Sequence, residues 1–324
     1  MKYEAMLRSL KGDVEQIDRH IRGNLSSRVP LINEVGNYII LAGGKRLRSL
    51  LFVLSARLCG YLGQLSHYYS TIFEYLHSAT LLHDDVVDGA DLRRGKAAAN
   101  IEYGNQAAVL VGDFLLSKSF SQAVEIGDIR MLEVLSNTTT TMAEGEVLEL
   151  VHILNLEITQ EEYLQVIISK TAILFSAACH MGAIFGRADN PRQQALKSYG
   201  LNLGIAFQVI DDNLDYTSNV AEFGKPVGND LKEGKITLPL IIAMKDGTAE
   251  DQTELASLIK KPDLTEAEFT RIRNLVNKTD ALPKAHQIAC SYIEKAKSDL
   301  DIFPDSPEKT LFKDMASYVV DRKK

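Results

Sequence analysis

The stretch HYYSTIFEYLHSATLLHDDVVDG (67–89) decides the fold. From Ile72 onward its apolar residues recur at spacings of three and four, the period of a helix, and Gly89 closes the run as a helix stop does. Such a helix is about six turns long, and most of its surface is apolar. Its end is electrostatically odd. Asp84 and Asp88 are four residues apart, so their carboxylates share one face, and Asp85 sits beside them. A helix C-terminus already carries partial negative charge, and like charges one turn apart add to the cost. The same pattern returns in VIDDNLDYT (209–217), with Asp211, Asp212 and Asp215. A lone cluster of this kind reads as a solvated helix end. What surrounds these two changes the reading.

Helical periodicity runs through the rest of the chain. LINEVGNYIILAGG (31–44) stops at a glycine pair, and EITQEEYLQVIISK opens at Thr159 with Glu161 and Glu162 in the first turn. TAILFSAACHMGAIFG (171–186) is the longest charge-free run; it reads as a buried helix, too short to cross a bilayer. Strand signals are weak, and no low-complexity linker divides the sequence. Residues 1–324 are therefore expected to form a single all-α domain, a helical bundle. A net charge of −7 argues against a general nucleic-acid binder. Cys59, Cys179 and Cys290 lack metal or disulfide spacing and read as reduced thiols. The N-terminus has no signal-peptide core. The expectation is a cytoplasmic protein with no integral membrane segment.

Basic residues gather near the acidic motifs. Arg93 and Arg94 follow the first, Lys45, Arg46 and Arg48 follow the pair Gly43–Gly44, and Lys225 and Lys235 lie in a glycine-rich loop after the second. Paired carboxylates suit a hard divalent cation such as magnesium, which completes its shell with water and phosphate oxygens. Separate Arg and Lys clusters suit two polyphosphate groups. His77 lies seven residues before Asp84, on the same helix face. Gln208 is three before Asp211, and Lys170–Thr171 heads the charge-free run, where a lysine needs an anionic partner. His83 reads as structural; Asp113 and the acids of AEGEVLEL (143–150) read as internal polar contacts or solvated faces.

With GGKRLR, LLHDDVVDGADLRRGKAAAN, VLVGDFLLSKSF, AEGEVLEL, YLQVIISKTA, GIAFQVIDDNLDY and FGKPVGNDLKEGKITLPL in this order, the chain resembles the trans-isoprenyl diphosphate synthases. It is most similar to their long-chain members of the octaprenyl diphosphate synthase type, from Asn33 to the end. The resemblance implies an isoprenoid-synthase bundle around a deep central cavity, a homodimer, and magnesium, three ions with substrate bound. It implies head-to-tail condensation of isopentenyl diphosphate onto an allylic diphosphate such as farnesyl diphosphate. Lys45, Arg48, His77 and Arg94, with Gly44 through its backbone, would hold isopentenyl diphosphate. Arg93, Lys170, Thr171, Gln208, Lys225 and Lys235 would hold the allylic diphosphate. Asp84, Asp85, Asp88, Asp211, Asp212 and Asp215 would bind or orient magnesium. The residues nearest the chemistry would be Asp84, Asp85, Asp88, Arg93, Lys170 and Lys225.

The product would grow away from the metal along the helix before Asp84. Ala79 and Thr80 are small there, whereas short-chain members of the family commonly carry aromatic residues near these positions, so a long product is expected. Leu76, Phe73, Phe114 and Phe120 are candidates for the tunnel floor. Seven, eight or nine isoprene units stay open. Two other readings are a terpene cyclase-like enzyme and a non-catalytic subunit of a heteromeric synthase. Both intact DDxxD motifs, the arginine pair and GGKRLR weigh against them. Asn213 and Gly89 depart from the usual motif pattern without removing a ligand.

Overall fold

Short polar signals set several helix starts. Thr159, Thr248 and Thr265 each accept a hydrogen bond from the amide three residues on, and Glu162, Asp251 and Glu268 accept one from the threonine amide in return. Each reciprocal pair satisfies two amides that helix geometry leaves open. Pro30 stands first in its helix, where a missing N–H costs nothing.

The structure, a computed structural model, describes residues 3–217, 228–261 and 264–322. It is all-α, as expected. The chain divides into two compact units: Met1–Thr138 with Leu174–Gly200 and Asp299–Met315, and Thr139–Ile173 with Leu201–Ser298 and Ala316–Lys324.

The first unit contains α1 (Glu4–Asn24), α2 (Pro30–Ile40), α3 (Leu47–Leu58), α4 (Leu65–Val87), α5 (Ala99–Tyr103) and α6 (Asn105–Glu125). The first part of α7 (Ile129–Val151) and most of α9 (Ile173–Phe185) also belong to it. α4 is its centre and packs against α1, α2, α3 and α6. That explains why the opening stretch is apolar nearly all round: Ile72, Phe73, Tyr75, Leu76, Ala79 and Leu82 are all buried. Phe52 of α3 meets Phe73 at 5.7 Å and Phe185 at 5.5 Å between ring centroids. Phe52 and Phe73 are fully buried, and each contributes about 1.5–3 kcal/mol of hydrophobic stabilisation.

One charge in this core is fully accounted for. Glu74 of α4 accepts from Arg46 Nη1 (3.0 Å) and Ser49 Oγ (2.9 Å). Arg46 also donates to Asp18 (2.9 Å) and to the carbonyl of Ile40 (2.8 Å). These bonds tie down the end of the loop after α2, which stops at Ile40 rather than reaching the glycine pair. Gly43, Gly44 and Arg46 all have positive φ and cannot continue a helix.

The second unit contains α8 (Gln160–Ile167), a π turn (Ile168–Ala172), and residues 201–217 of α10 (Asn190–Thr217). It continues with α11 (Asn229–Lys232), α12 (Leu238–Asp246), α13 (Ala249–Ile259), α14 (Glu266–Lys278), α15 (Ala281–Asp299) and the end of α16 (Pro307–Asp321). α12 buries Leu238, Leu240, Ile241 and Ile242 and packs against α8, α13 and α14. The charge-free run joins the residues before it into a helical stretch, Gln160–Phe185, that is long and apolar enough to cross a membrane. Two thirds of its apolar window (67%) is buried inside the structure, so it serves as a core helix.

Candidate active site

Between α4 and α5 the chain makes a two-residue hairpin, β1 (Leu92–Arg93) against β2 (Lys96–Ala97). Its turn residues, Arg94 and Gly95, both have positive φ (52° and 76°), the twist that suits a tight hairpin. The turn sends adjacent arginines to different partners. Arg93 Nε donates to Asp85 Oδ1 at 2.5 Å, and Asp85 is fully buried. The Arg94 guanidinium lies against Gly44, where an added Cβ would meet it at 3.7 Å. Arg48 stacks over the ring of Phe175 at 4.6 Å.

These cations converge on His77. Burial, and then the charges of Arg48, Arg94, Arg93 and Arg46, hold its imidazole well below the usual pKa, so it is neutral. Arg94 is itself pushed down by burial and by Arg93 and Arg46. Guanidinium groups crowded round a neutral imidazole repel one another, and an anion with several oxygens relieves that repulsion. Gly44, Arg48, His77 and Arg94, predicted to serve one substrate, thus lie in one place with Arg93. Lys45 is exposed on the adjoining loop. Arg46, which shared the cluster in sequence, is instead the structural anchor already described.

Asp84 is half-buried in the last turn of α4, and Asp88 caps that helix, its amide donating to the Asp84 carbonyl at 2.8 Å. Of the tunnel residues, Phe73, Leu76 and Ala79 are buried. Thr80 is half-buried and returns its hydroxyl to the His77 carbonyl at 2.8 Å. Phe114 and Phe120 are half-buried on α6. His83 is structural, as expected: its ring covers Gly112 of α6 and meets the Val109 carbonyl at 3.2 Å.

The second unit holds a cavity of about 130 Å³ that collects the other set. Lys170 and Thr171 sit in the π turn, a form that recurs at functional sites. The turn is pressed against two helices at glycines: a Cβ on Gly145 would lie 2.8 Å from Lys170 N, and one on Gly204 2.6 Å from Ala172 Cα. Lys170 Nζ binds Glu146 (2.7 Å) and Glu149 (2.6 Å), and Lys235 Nζ binds Glu233 (2.6 Å) and approaches Glu149 (3.6 Å). Two of the acids of AEGEVLEL, Glu146 and Glu149, are therefore polar contacts that hold the lysines, while Glu144 is exposed. Thr171 donates to Gln208 (3.0 Å), and Gln208 donates to Asp212 Oδ1 (2.7 Å). Tyr163 donates to Asp212 Oδ2 at 2.5 Å. The cavity thus brings together Lys170, Thr171, Gln208, Asp212 and Lys235 from the predicted set, with Tyr163, Glu149 and Asp230 added. Lys225 lies outside the described residues.

Burial pushes the Asp212 carboxyl up to about 7, against the two hydrogen bonds and with the help of Asp211 and Asp215. Burial raises Asp230 too, followed by the charges of Asp215 and Asp212. Asp215 accepts from the amides of Asn229 (3.2 Å) and Asp230 (3.3 Å) and so fixes the start of α11. Asp211 is half-exposed and pairs with Arg322 at 3.1 Å. Asn213 turns away, donating to the Leu282 carbonyl at 3.0 Å.

The donor set fits magnesium. All the candidate ligands are carboxylates, and among the described residues no three His, Cys, Asp or Glu side chains are gathered into a protein-only cage. An ion held by one or two carboxylates needs water and phosphate oxygens to complete its octahedron, as magnesium commonly does.

Residues 29–276 match the model of the polyprenyl synthetase family. The chain is 41% identical to the octaprenyl diphosphate synthase of Escherichia coli over 310 residues, 96% of each chain. It is 33% identical to component 2 of the heptaprenyl diphosphate synthase of Bacillus subtilis, over all of this chain and 92% of that one. Among solved structures, a polyprenyl synthase from Caulobacter crescentus, complexed with calcium and isoprenyl diphosphate, superposes with a TM-score of 0.94. That protein is 39% identical, with 98% of this chain and 97% of that one covered.

Proposed function

The chain belongs to the polyprenyl synthetase family, and from that premise we propose that it is a magnesium-dependent octaprenyl diphosphate synthase. It is a prenyltransferase that makes long all-trans prenyl diphosphates. The finer reading is successive addition of isopentenyl diphosphate to an allylic primer such as farnesyl diphosphate, to eight isoprene units. The observation that supports the diphosphate chemistry is the cavity where Lys170, Thr171, Gln208, Asp212 and Lys235 meet, with two ammonium groups for a diphosphate, and the length of eight units rests on the likeness to the octaprenyl diphosphate synthase.

The allylic carbon–oxygen bond breaks when the charge growing on the departing diphosphate is stabilised in place. Asp84 and Asp88 in the first unit and Asp211 in the second would each hold magnesium, with Asp85, Asp212 and Asp215 orienting them, and the metal would supply much of that stabilisation. Arg93, Lys170, Lys225 and Lys235 supply the rest. Lys170 and Lys235 are held by carboxylates until a diphosphate arrives, so they need little reorganisation to receive it. Lys45, Arg48, Arg94 and His77 orient isopentenyl diphosphate so that its double bond attacks the allylic carbon. His77 is neutral and can donate a hydrogen bond without adding to the crowded charge. The buried apolar wall of Ala79, Leu76 and Phe73 keeps water from the allylic cation.

A homodimer is part of the proposal; its support is the exposed apolar Leu110 and Val124 on α6, whose other face is buried. A cytoplasmic location accords with three free cysteines. Purified protein incubated with farnesyl diphosphate, labelled isopentenyl diphosphate and magnesium should give a forty-carbon product. Absence of incorporation would overturn the proposal in favour of a non-catalytic subunit.

A further inference from the structure

Beyond the family match, which ends at residue 276, the chain returns to the second acidic motif. Arg322 follows α16 directly, and its side chain is only 7% exposed. Nη2 donates to the carbonyl of Phe207 (3.0 Å) and to Asp211 Oδ1 (3.1 Å), and the guanidinium lies 4.0 Å over the Phe207 ring. Nε is buried with no hydrogen-bond partner. The residues before it are fixed: Val319 is buried, and the Val320 carbonyl meets His286 Nε2 at 3.1 Å.

Stability alone does not account for this placement. Asp211 is half-exposed, and an ion pair to such a group is worth about 0–1 kcal/mol. Burying a guanidinium with one donor unsatisfied costs more than that. The arrangement makes sense as control of Asp211. The guanidinium engages Oδ1 and leaves Oδ2 outside the pair, while stacking on Phe207, one turn back on α10, sets the direction of approach. It also places a cation beside Asp211, whose charge bears on the neighbouring Asp212.

We propose that Arg322 is a positioning residue for the second acidic motif, fixing the Asp211 carboxylate in the orientation in which it takes a divalent cation. This rests on the reading of Asp211 as a metal ligand. Hydrogen-bonded partners that orient metal ligands typically change metal affinity by 10–100-fold when removed.

The test is a double-mutant cycle read by metal binding rather than turnover. Mn2+ is titrated against protein holding an unreactive farnesyl thiodiphosphate, and free Mn2+ is counted by electron paramagnetic resonance. Arg322→Met keeps an apolar stem on Phe207 and should weaken Mn2+ binding about tenfold. Arg322→Lys should recover part of that loss, and it keeps the test open should the methionine variant fold poorly. On an Asp211→Asn background, Arg322→Met should add less than about a twofold effect, because its route of action is gone. The proposal is overturned if Arg322→Met leaves Mn2+ affinity unchanged, or weakens it equally in both backgrounds. If Asp211→Asn itself leaves Mn2+ affinity unchanged, the ligand reading of Asp211 fails instead, and Arg322 loses its role with it.

Discussion

Ala79→Tyr tests the proposed tunnel most directly. Ala79 is 1% exposed and lies five residues before Asp84 on α4. At 1.5 Å per residue its Cα stands about 7.5 Å along the axis from the motif. A helix side chain leans toward the N-terminus, so a tyrosine there obstructs the next several ångströms as well. An extended isoprene unit advances about 5 Å, given carbon–carbon bonds near 1.5 Å, which is close to the 5.4 Å of one helical turn. The free run of about 7.5 Å holds about one and a half such units, so products should fall from forty carbons to about ten to fifteen. Leu76→Trp places the block one turn farther along the helix and should allow about one unit more.

The assay supplies geranyl diphosphate as primer, because a blocked enzyme would have little room to extend farnesyl diphosphate. Labelled products are dephosphorylated and separated by reversed-phase chromatography. Overpacking a buried position costs about 1–3 kcal/mol, so circular dichroism and a thermal melt should show a folded protein that melts a few degrees lower. If Ala79→Tyr remains active and still makes forty-carbon products, the tunnel does not run along this face of α4. If both variants shorten the product to the same length, the correspondence of one turn to one unit is wrong.

The helices were legible because their signals are local. The apolar period of 67–89, the Thr159 start and the charge-free run each name an element without reference to the rest of the chain. The cluster round His77 was legible for the same reason: Gly44, Arg48, His77 and Arg94 belong to compact motifs. What escaped depends on contacts remote in sequence. Arg46 looks like its neighbours in GGKRLR, and only its bonds to Asp18 and Glu74 make it structural. The hairpin gave no warning because an arginine, not an asparagine, occupies the first left-handed turn position. Tyr163 precedes Lys170 by two turns and reads as an ordinary core residue, yet its hydroxyl holds Asp212. Asp230 follows Gly228 and Asn229 inside a loop-like sequence, and Arg322 lies more than a hundred residues from Asp211. No spacing rule links positions that distant; their partnership exists only once the helices have packed.

Three other outcomes follow from the same geometry. Asp84→Ala should cut turnover at least about 100-fold and raise the magnesium concentration needed for half-maximal rate; near-normal magnesium dependence contradicts the ligand role. Gly204→Val forces a side chain into Ala172 and should cost about 1–3 kcal/mol. It should also raise KM for the allylic substrate more than for isopentenyl diphosphate, because the π turn carrying Lys170 and Thr171 must shift; equal changes in steady-state kinetics would refute this. The last outcome concerns His180, which burial, and then Lys197 and Arg130, hold down at about 4. Above the unfolded pKa of about 6.5 it is neutral whether folded or not and contributes no pH dependence. As pH falls from there toward 4 the unfolded chain takes up a proton that the folded protein refuses, so stability declines with pH. Roughly 1–2 kcal/mol is at stake after solvent screening of a partly enclosed ring. Urea unfolding of the wild type at pH 7 and 4.5 should show that decline, and His180→Gln should show a smaller one. An identical decline in the variant would mean that other groups, not His180, account for the acid sensitivity.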